Sequence, residues 1–172
     1  MSTGRLPETL SGLAKMVGLT ALATTVLDQL SKKVVVDLLS PGDRIGVISG
    51  VFDVTLVFNK GAAFGLFSGV ESDVVRYGLL AISTIIALLV LVVVLLREYR
   101  HDRFGQAVVG LVLGGAIGNI IDRVRLGQVI DFLDFYIGEH HWPAFNVADS
   151  AICVGVILLL IRQSKGAAPV AS

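Results

Sequence analysis

Residues 114–150 read GGAIGNIIDRVRLGQVIDFLDFYIGEHHWPAFNVADS. This one stretch contains Asn119, Asp122, Arg123, Asp131, Asp134, Asn146 and Asp149. Long apolar runs flank it on both sides, so two hydrophobic helices meet around it. Polar groups gathered where helices end, and not spread along them, are what decides the fold.

The composition around the stretch sets the class. The chain has 172 residues, of which 54% are hydrophobic and 16% charged, and its mean hydropathy is +0.81. Four helices of a soluble bundle would need more polar face than that. Several apolar runs approach 18 residues, the length that crosses a hydrocarbon core of roughly 30 Å. The expected fold is an all-α integral membrane protein with four transmembrane helices and a small extracytoplasmic β-structured element. Residues 1–172 form a single membrane-embedded domain. Its spans cover about 14–36, 74–96, 104–121 and 144–161, and its extracytoplasmic segments are 37–73 and 122–143. The run after Lys15 reads as a span and not as a cleaved leader, because further spans follow it.

The formal net charge is zero, which argues against a nucleic-acid partner. Cys153 is the single cysteine and cannot form an internal disulfide. His101, His140 and His141 have no zinc-site spacing, so neither a metal nor a cofactor is expected.

Working outward, the first span ends in Asp28-Gln29-Leu30-Ser31-Lys32-Lys33. Asp28 and Lys32 are four apart and share a helix face. Lysine snorkelling explains Lys33 but not Asp28, because an ionisable group in a span usually faces a protein interior. In the first connection, IGVIS, FDVTLVF and AAFGLF are short, β-branched and aromatic, and read as β-structured. Asn59 there reads equally well as a turn residue. Gly110, Gly114 and Gly118 recur every four residues and offer a face for close helix approach. Gly127 breaks the third helix. Asn146 and Asp149 open the fourth, where Asp149 could serve simply as a cap. The segment around Asp131 and Asp134 is expected to re-enter the interface or form a short amphipathic piece. Tyr136, Trp142 and Pro143 suit the headgroup level.

Lysines and arginines divide evenly between the two sides and do not orient the chain. The acids crowd the side of the long connections, and the 97–103 turn is densely basic. Both termini are therefore expected inside.

Two carboxylates at an apolar interface can share a proton, one serving as general base and the other polarising a carbonyl. Composition and spacing leave Asp122, Asp131, Asp134 and Asp149 open for these roles. A small polytopic transporter or ion-pathway protein is the alternative, and it would spread its acids through the bilayer depth.

Five stretches, in this order, resemble the lipoprotein signal peptidases (signal peptidase II). They are Asp28-Gln29-Leu30-Ser31-Lys32, Asn59-Lys60-Gly61-Ala62-Ala63-Phe64, Gly114 to Arg123, Val129-Ile130-Asp131-Phe132 and Phe145-Asn146-Val147-Ala148-Asp149-Ser150. The resemblance extends from about residue 15 to 162. It implies an aspartic endopeptidase that removes the signal peptide from diacylglyceryl-modified prolipoproteins, cutting immediately before the lipidated cysteine. It implies Asp131 and Asp149 as the catalytic pair. Asn59, Asn119, Arg123, Asn146, Asp28, Lys32 and Asp122 match pocket-forming or supporting positions. The resemblance also implies a place in the bacterial cytoplasmic membrane with the site near the outer face, contact with membrane lipids, and globomycin as inhibitor. Nothing in the sequence calls for a second subunit, so a monomer is expected. Segment 37–73, with its Phe64–Phe67 tip, is expected to act as a lid.

Overall fold

The computed structural model describes residues 8–60, 89, 93, 98, 99 and 102–166. The expected span at 74–96 and the Phe64–Phe67 tip fall outside them, apart from Leu89 and Val93. The described residues form three helices: α1 (Glu8–Leu38), α2 (Arg103–Leu126) and α3 (Val147–Gly166). They also form four strands: β1 (Arg44–Ile48), β2 (Phe52–Asn59), β3 (Val129–Ile137) and β4 (His140–His141).

The expected all-α, four-span architecture is corrected here. The strands build one antiparallel sheet in the order β1-β2-β3-β4, so sheet is a major part of the fold. Among the described residues, one helix, Arg103–Leu126, is long and apolar enough to cross a membrane. α1 is 31 residues long but carries Lys15, Asp28, Lys32, Lys33 and Asp37 along its length. The segment expected to re-enter the interface is instead the nine-residue strand β3. Its run VIDFLDFYI is mostly β-branched and aromatic, which suits a pleated, packed surface.

α2 is the central helix. Asp102 caps its start by accepting the Phe104 N–H at 3.1 Å. Gly127 ends it at φ +68°, and its N–H reaches the Arg123 carbonyl at 3.0 Å. α1 lies against the small-residue face of α2. A Cβ on Gly114 would stand 2.4 Å from the Ala21 carbonyl oxygen. Thr25 Oγ1 donates to the Gly114 carbonyl across the same contact at 3.0 Å. On its other side, α2 meets α3, where a Cβ on Gly115 would lie 2.5 Å from the Ala148 carbonyl oxygen.

Among the described residues, charged side chains are buried while many large apolar ones are exposed. Asp28, Lys32, Asp122, Asp131 and Asn146 are the largest fully buried side chains. Leu19, Leu22, Leu27, Leu30 and Val124 on the helices are largely exposed. Leucines and valines on the outside of helices, with charged groups buried between them, are what a lipid environment stabilises.

The sheet closes the polar end of the helices. Its inner contact is a small core of Val35 from the end of α1 with Leu56, Ile130 and Phe132. β2 contains a bulge, since Val54 pairs with Leu133 but Val57 pairs with Asp131. Two residues of β2, Thr55 and Leu56, thus stand against one of β3, Phe132, and the facing of β2 changes parity. That extra residue lets both Phe52 and Asn59 share the face of Asp131. Phe52 stacks on Phe135 at 4.5 Å on this face.

Candidate active site

The site has three tiers, each supplied by different elements. The deepest is an ion triad. Lys32 Nζ lies 2.8 Å from Asp28 Oδ2 and 2.7 Å from Asp122 Oδ2, and all three side chains are almost fully buried. The helical spacing of four sets the Asp28–Lys32 pair, and the small face of α2 lets Asp28 approach Gly118. Removing either partner from such a pair would leave an uncompensated buried charge. The two carboxylates also accept backbone N–H groups. Asp28 Oδ1 accepts the Ala148 N–H at 2.9 Å, and Asp122 Oδ2 accepts the Ile130 N–H at 3.2 Å. The triad therefore ties α1 to α2, to the start of α3 and to β3.

The middle tier is a pair of asparagine amides. Asn119 Oδ1 accepts from Lys32 Nζ at 3.0 Å and from Asn146 Nδ2 at 3.1 Å. Asn146 sits immediately before α3 and is fully buried.

The upper tier holds two carboxylates. Asp131 Oδ1 accepts from Asn146 Nδ2 at 2.8 Å, and its Oδ2 accepts from Asn59 Nδ2 at 2.9 Å. Asp149 Oδ1 accepts from Asn119 Nδ2 at 2.8 Å. Asp149 also forms a reciprocal box with Asn146. Its N–H donates to Asn146 Oδ1 at 2.9 Å, and its Oδ2 accepts the Asn146 N–H at 3.3 Å. Asp149 is therefore a helix cap and a member of the cluster at once.

Backbone pairing brings the two carboxylate-bearing segments together. The N–H groups of Phe132 and Leu133 both donate to the Phe145 carbonyl, at 2.9 and 2.8 Å. Leu133 bridges Phe145 in antiparallel fashion, which sets Asn146 beside Asp131. Burial pushes the Asp131 carboxyl up to about 6, and the negative charge of Asp149 adds to that rise. The amides of Asn59 and Asn146 and the charge of Lys32 oppose it.

All nine site residues read from the sequence thus gather at one end of the helices. Arg123 donates from Nη1 to the Asn119 carbonyl at 3.3 Å, and its buried Nε has no hydrogen-bond partner among the described residues. Asn59 ends β2 as a strand residue and not as a turn. Asp134, which spacing left open, is separate from the cluster. It points to the opposite face of β3, where it pairs with Arg44 and lies 2.9 Å from His141 Nδ1. Gln29 belongs to the site although the sequence motif assigns it no role. Its Nε2 donates to Asp122 Oδ1 at 2.9 Å and to the Gly118 carbonyl at 3.1 Å. Its place three residues before Lys32, on the same face, was the available signal. Among the described residues, no group of three or more His, Cys, Asp or Glu could hold a metal ion.

The family described as Signal peptidase (SPase) II matches residues 20–165. The lipoprotein signal peptidase of Syntrophotalea carbinolica is 48% identical over 154 residues, covering 88% of this chain and 93% of that protein. The lipoprotein signal peptidase of Geobacter sulfurreducens is 44% identical, covering 86% and 92%. A solved structure titled "Bacterial membrane enzyme structure by the in meso method at 1.9 A resolution" aligns with a TM-score of 0.72 at 33% identity. That alignment covers 86% of this chain and 91% of the other.

Proposed function

This chain belongs to the signal peptidase (SPase) II family, and we infer that Asp131 and Asp149 are its catalytic pair. It is a membrane peptidase that removes signal peptides from prolipoproteins. The observation that carries the residue assignment is the sharing of Asn146. Its amide holds Asp131 at 2.8 Å while its backbone N–H and Oδ1 hold Asp149. One buried residue thereby orients both carboxylates, Asp131 through its side-chain amide and Asp149 through its backbone N–H.

The two carboxylates have different surroundings, which divides their roles. Asp149 sits in the first turn of α3, where the helix dipole and a backbone N–H favour the anion. Asp131 has no helix terminus, and burial strengthens its hold on a proton. Asp149 is the general base: its carboxylate takes a proton from water as the water oxygen attacks the scissile carbonyl carbon. Asp131 gives its proton to the developing oxyanion. On collapse the C–N bond breaks and Asp149 passes its proton to the leaving nitrogen. Asp131 recovers its own proton from the new carboxyl group. The cycle closes with no covalent intermediate and no cofactor step.

The leaving nitrogen in this proposal belongs to the diacylglyceryl cysteine, so cleavage falls immediately before that residue. The sheet-proximal ends of α1 and α3 face the outer leaflet of the bacterial cytoplasmic membrane, which leaves both termini cytoplasmic. The exposed leucines of the helices contact membrane lipid, and the chain works as a monomer. Globomycin competes for the same pocket. Crowding of Asp28, Asp122, Asp131 and Asp149 at one end supports a peptidase site over an ion pathway.

Purified protein incubated with a diacylglyceryl prolipoprotein tests the reading. Mass spectrometry should find a product that begins at the lipidated cysteine, and globomycin should suppress it. Cleavage elsewhere, or of unlipidated precursor alone, would contradict the substrate assignment.

A further inference from the structure

Lys32 is buried beneath the two carboxylates, and its ammonium has donors only. Its three protons are fully used, by Asp28 Oδ2, Asp122 Oδ2 and Asn119 Oδ1. An amide that faces an ammonium must present its oxygen. The Asn119 Nδ2 group must therefore point away, and it does, toward Asp149 Oδ1 at 2.8 Å. The Asn146 amide is fixed independently. Its Oδ1 accepts the Asp149 N–H, so its Nδ2 is left for Asn119 Oδ1 and Asp131. Every side-chain hydrogen bond between the ion triad and the two carboxylates thus has one allowed direction.

We propose that Lys32 is a positioning residue that, with the Asn146 amide donating to the same Asn119 oxygen, sets this direction and thereby keeps Asp149 ionised as the base. The alternative orientation shows why. With the Asn119 amide flipped, its oxygen would face Asp149 Oδ1, and a proton would be needed between the two oxygens. Asp149 would then be held as a carboxylic acid and could not take a proton from water. The flip would also set Nδ2 against the Lys32 ammonium, donor against donor. A donated N–H favours the carboxylate, and an accepting oxygen favours the acid. The proposal rests on the Asp131–Asp149 reading and adds the reason Asp149 is its base.

Several charged groups act around Asp149. α1 contributes Lys32 and Asp28, α2 contributes Arg123 and Asp122, and β3 contributes Asp131. Lys32 is the one among them that touches the amide holding Asp149 Oδ1.

The test compares kcat against pH for Asp122→Asn and for Lys32→Met/Asp122→Asn. The triad carries one net negative charge, Asp122→Asn makes it neutral, and the double variant restores one negative charge through Asp28, so the double variant is charge-matched to the unsubstituted enzyme, which is measured alongside. Losing a fixed donor and a nearby cation should move the acid limb of kcat upward by about one pH unit. Turnover below the limb should fall about tenfold. KM should stay within about twofold, and kcat should recover toward that of Asp122→Asn at high pH, since a flipped amide is not a missing side chain. A kcat lowered by one factor at every pH, with the limb in place, would overturn the proposal and leave Lys32 as scaffold. If the double variant does not fold, the unsubstituted enzyme decides the matter. The Asn119 side-chain amide resonance should titrate with the acid limb and lose that titration in Asp149→Asn. An amide indifferent to pH would overturn the proposal. Failure of the catalytic pair itself reads differently: Asp149→Asn would then cleave normally, whatever Lys32 does.

Discussion

Asn146 and Asp149 cap one another. The Asp149 N–H reaches Asn146 Oδ1 at 2.9 Å, and Asp149 Oδ2 accepts the Asn146 N–H at 3.3 Å. Asn146 therefore has two separable duties. As a cap it supplies an acceptor, which serine also provides. As a bridge it supplies an amide to Asp131, Asn119 and the Ile130 carbonyl, which serine does not. Asn146→Ala should lose about 2–4 kcal/mol of stability from the cap and the stranded partners. Asn146→Ser should recover about 1 kcal/mol of that. Both should turn over at least about a hundredfold more slowly, because the positioned amide is gone from each. Thermal unfolding in detergent and cleavage kinetics on the same samples check the split.

Asp131 makes folding depend on pH. Its ordinary carboxyl value is 3.8, and in the fold it is pushed up to about 6. The folded state therefore holds the proton more tightly than the unfolded state. Its contribution is fully present below 3.8, is lost as pH rises to 6, and stays lost above. The decline amounts to about 3 kcal/mol. Asp131→Asn has no such proton, so its unfolding free energy should fall less than the wild type's between pH 4 and pH 7. Equal slopes would show that burial does not hold the proton on Asp131.

The close approach of α1 to α2 sets the reach of Asp28 and Lys32. Ala in place of Gly would favour an isolated helix by about 1 kcal/mol. At Gly114 the added Cβ meets the Ala21 carbonyl oxygen at 2.4 Å, and backbone does not yield as a side chain does. Gly114→Ala should therefore destabilise by about 2 kcal/mol and lower turnover as α1 is pushed away. Gly18→Ala, where nothing among the described residues lies within 4 Å, should be neutral or stabilising. Thermal shifts of the two variants measured side by side settle it.

Asp134 is as buried as Asp131, but it serves the sheet. With Arg44 on β1 and His141 on β4 it ties both outer strands to β3. Asp134→Asn should cost about 2 kcal/mol in stability, less than a fully buried pair because Arg44 is half exposed. Turnover by the folded fraction should stay within about twofold. A loss as large as that of Asp131→Asn would place Asp134 in the reaction.

Much of the site was legible in the sequence because its signals are local. Asp28 with Lys32 and Asn119 with Arg123 follow from the helical repeat, and Gly127 from its place after an apolar run. The small face of α2 followed from glycines every four residues. Choosing Asp131 and Asp149 over Asp122 and Asp134 was not local, and it rested on family resemblance. Strand β3 was not read because VIDFLDFYI lacks alternation: Val129 to Phe132 are all buried, and Asp131 and Asp134 point to opposite faces. Asn59 could not be placed either. Its facing depends on the β2 bulge between Val54 and Val57, which pairing with β3 reveals and its own residues do not.

The most direct test substitutes each carboxylate without changing its size. Asp131→Asn and Asp149→Asn, purified in detergent and shown to be folded by thermal unfolding, are incubated with diacylglyceryl prolipoprotein. Each is expected to abolish cleavage. Normal cleavage by either folded variant would contradict the assignment of Asp131 and Asp149 as the catalytic pair.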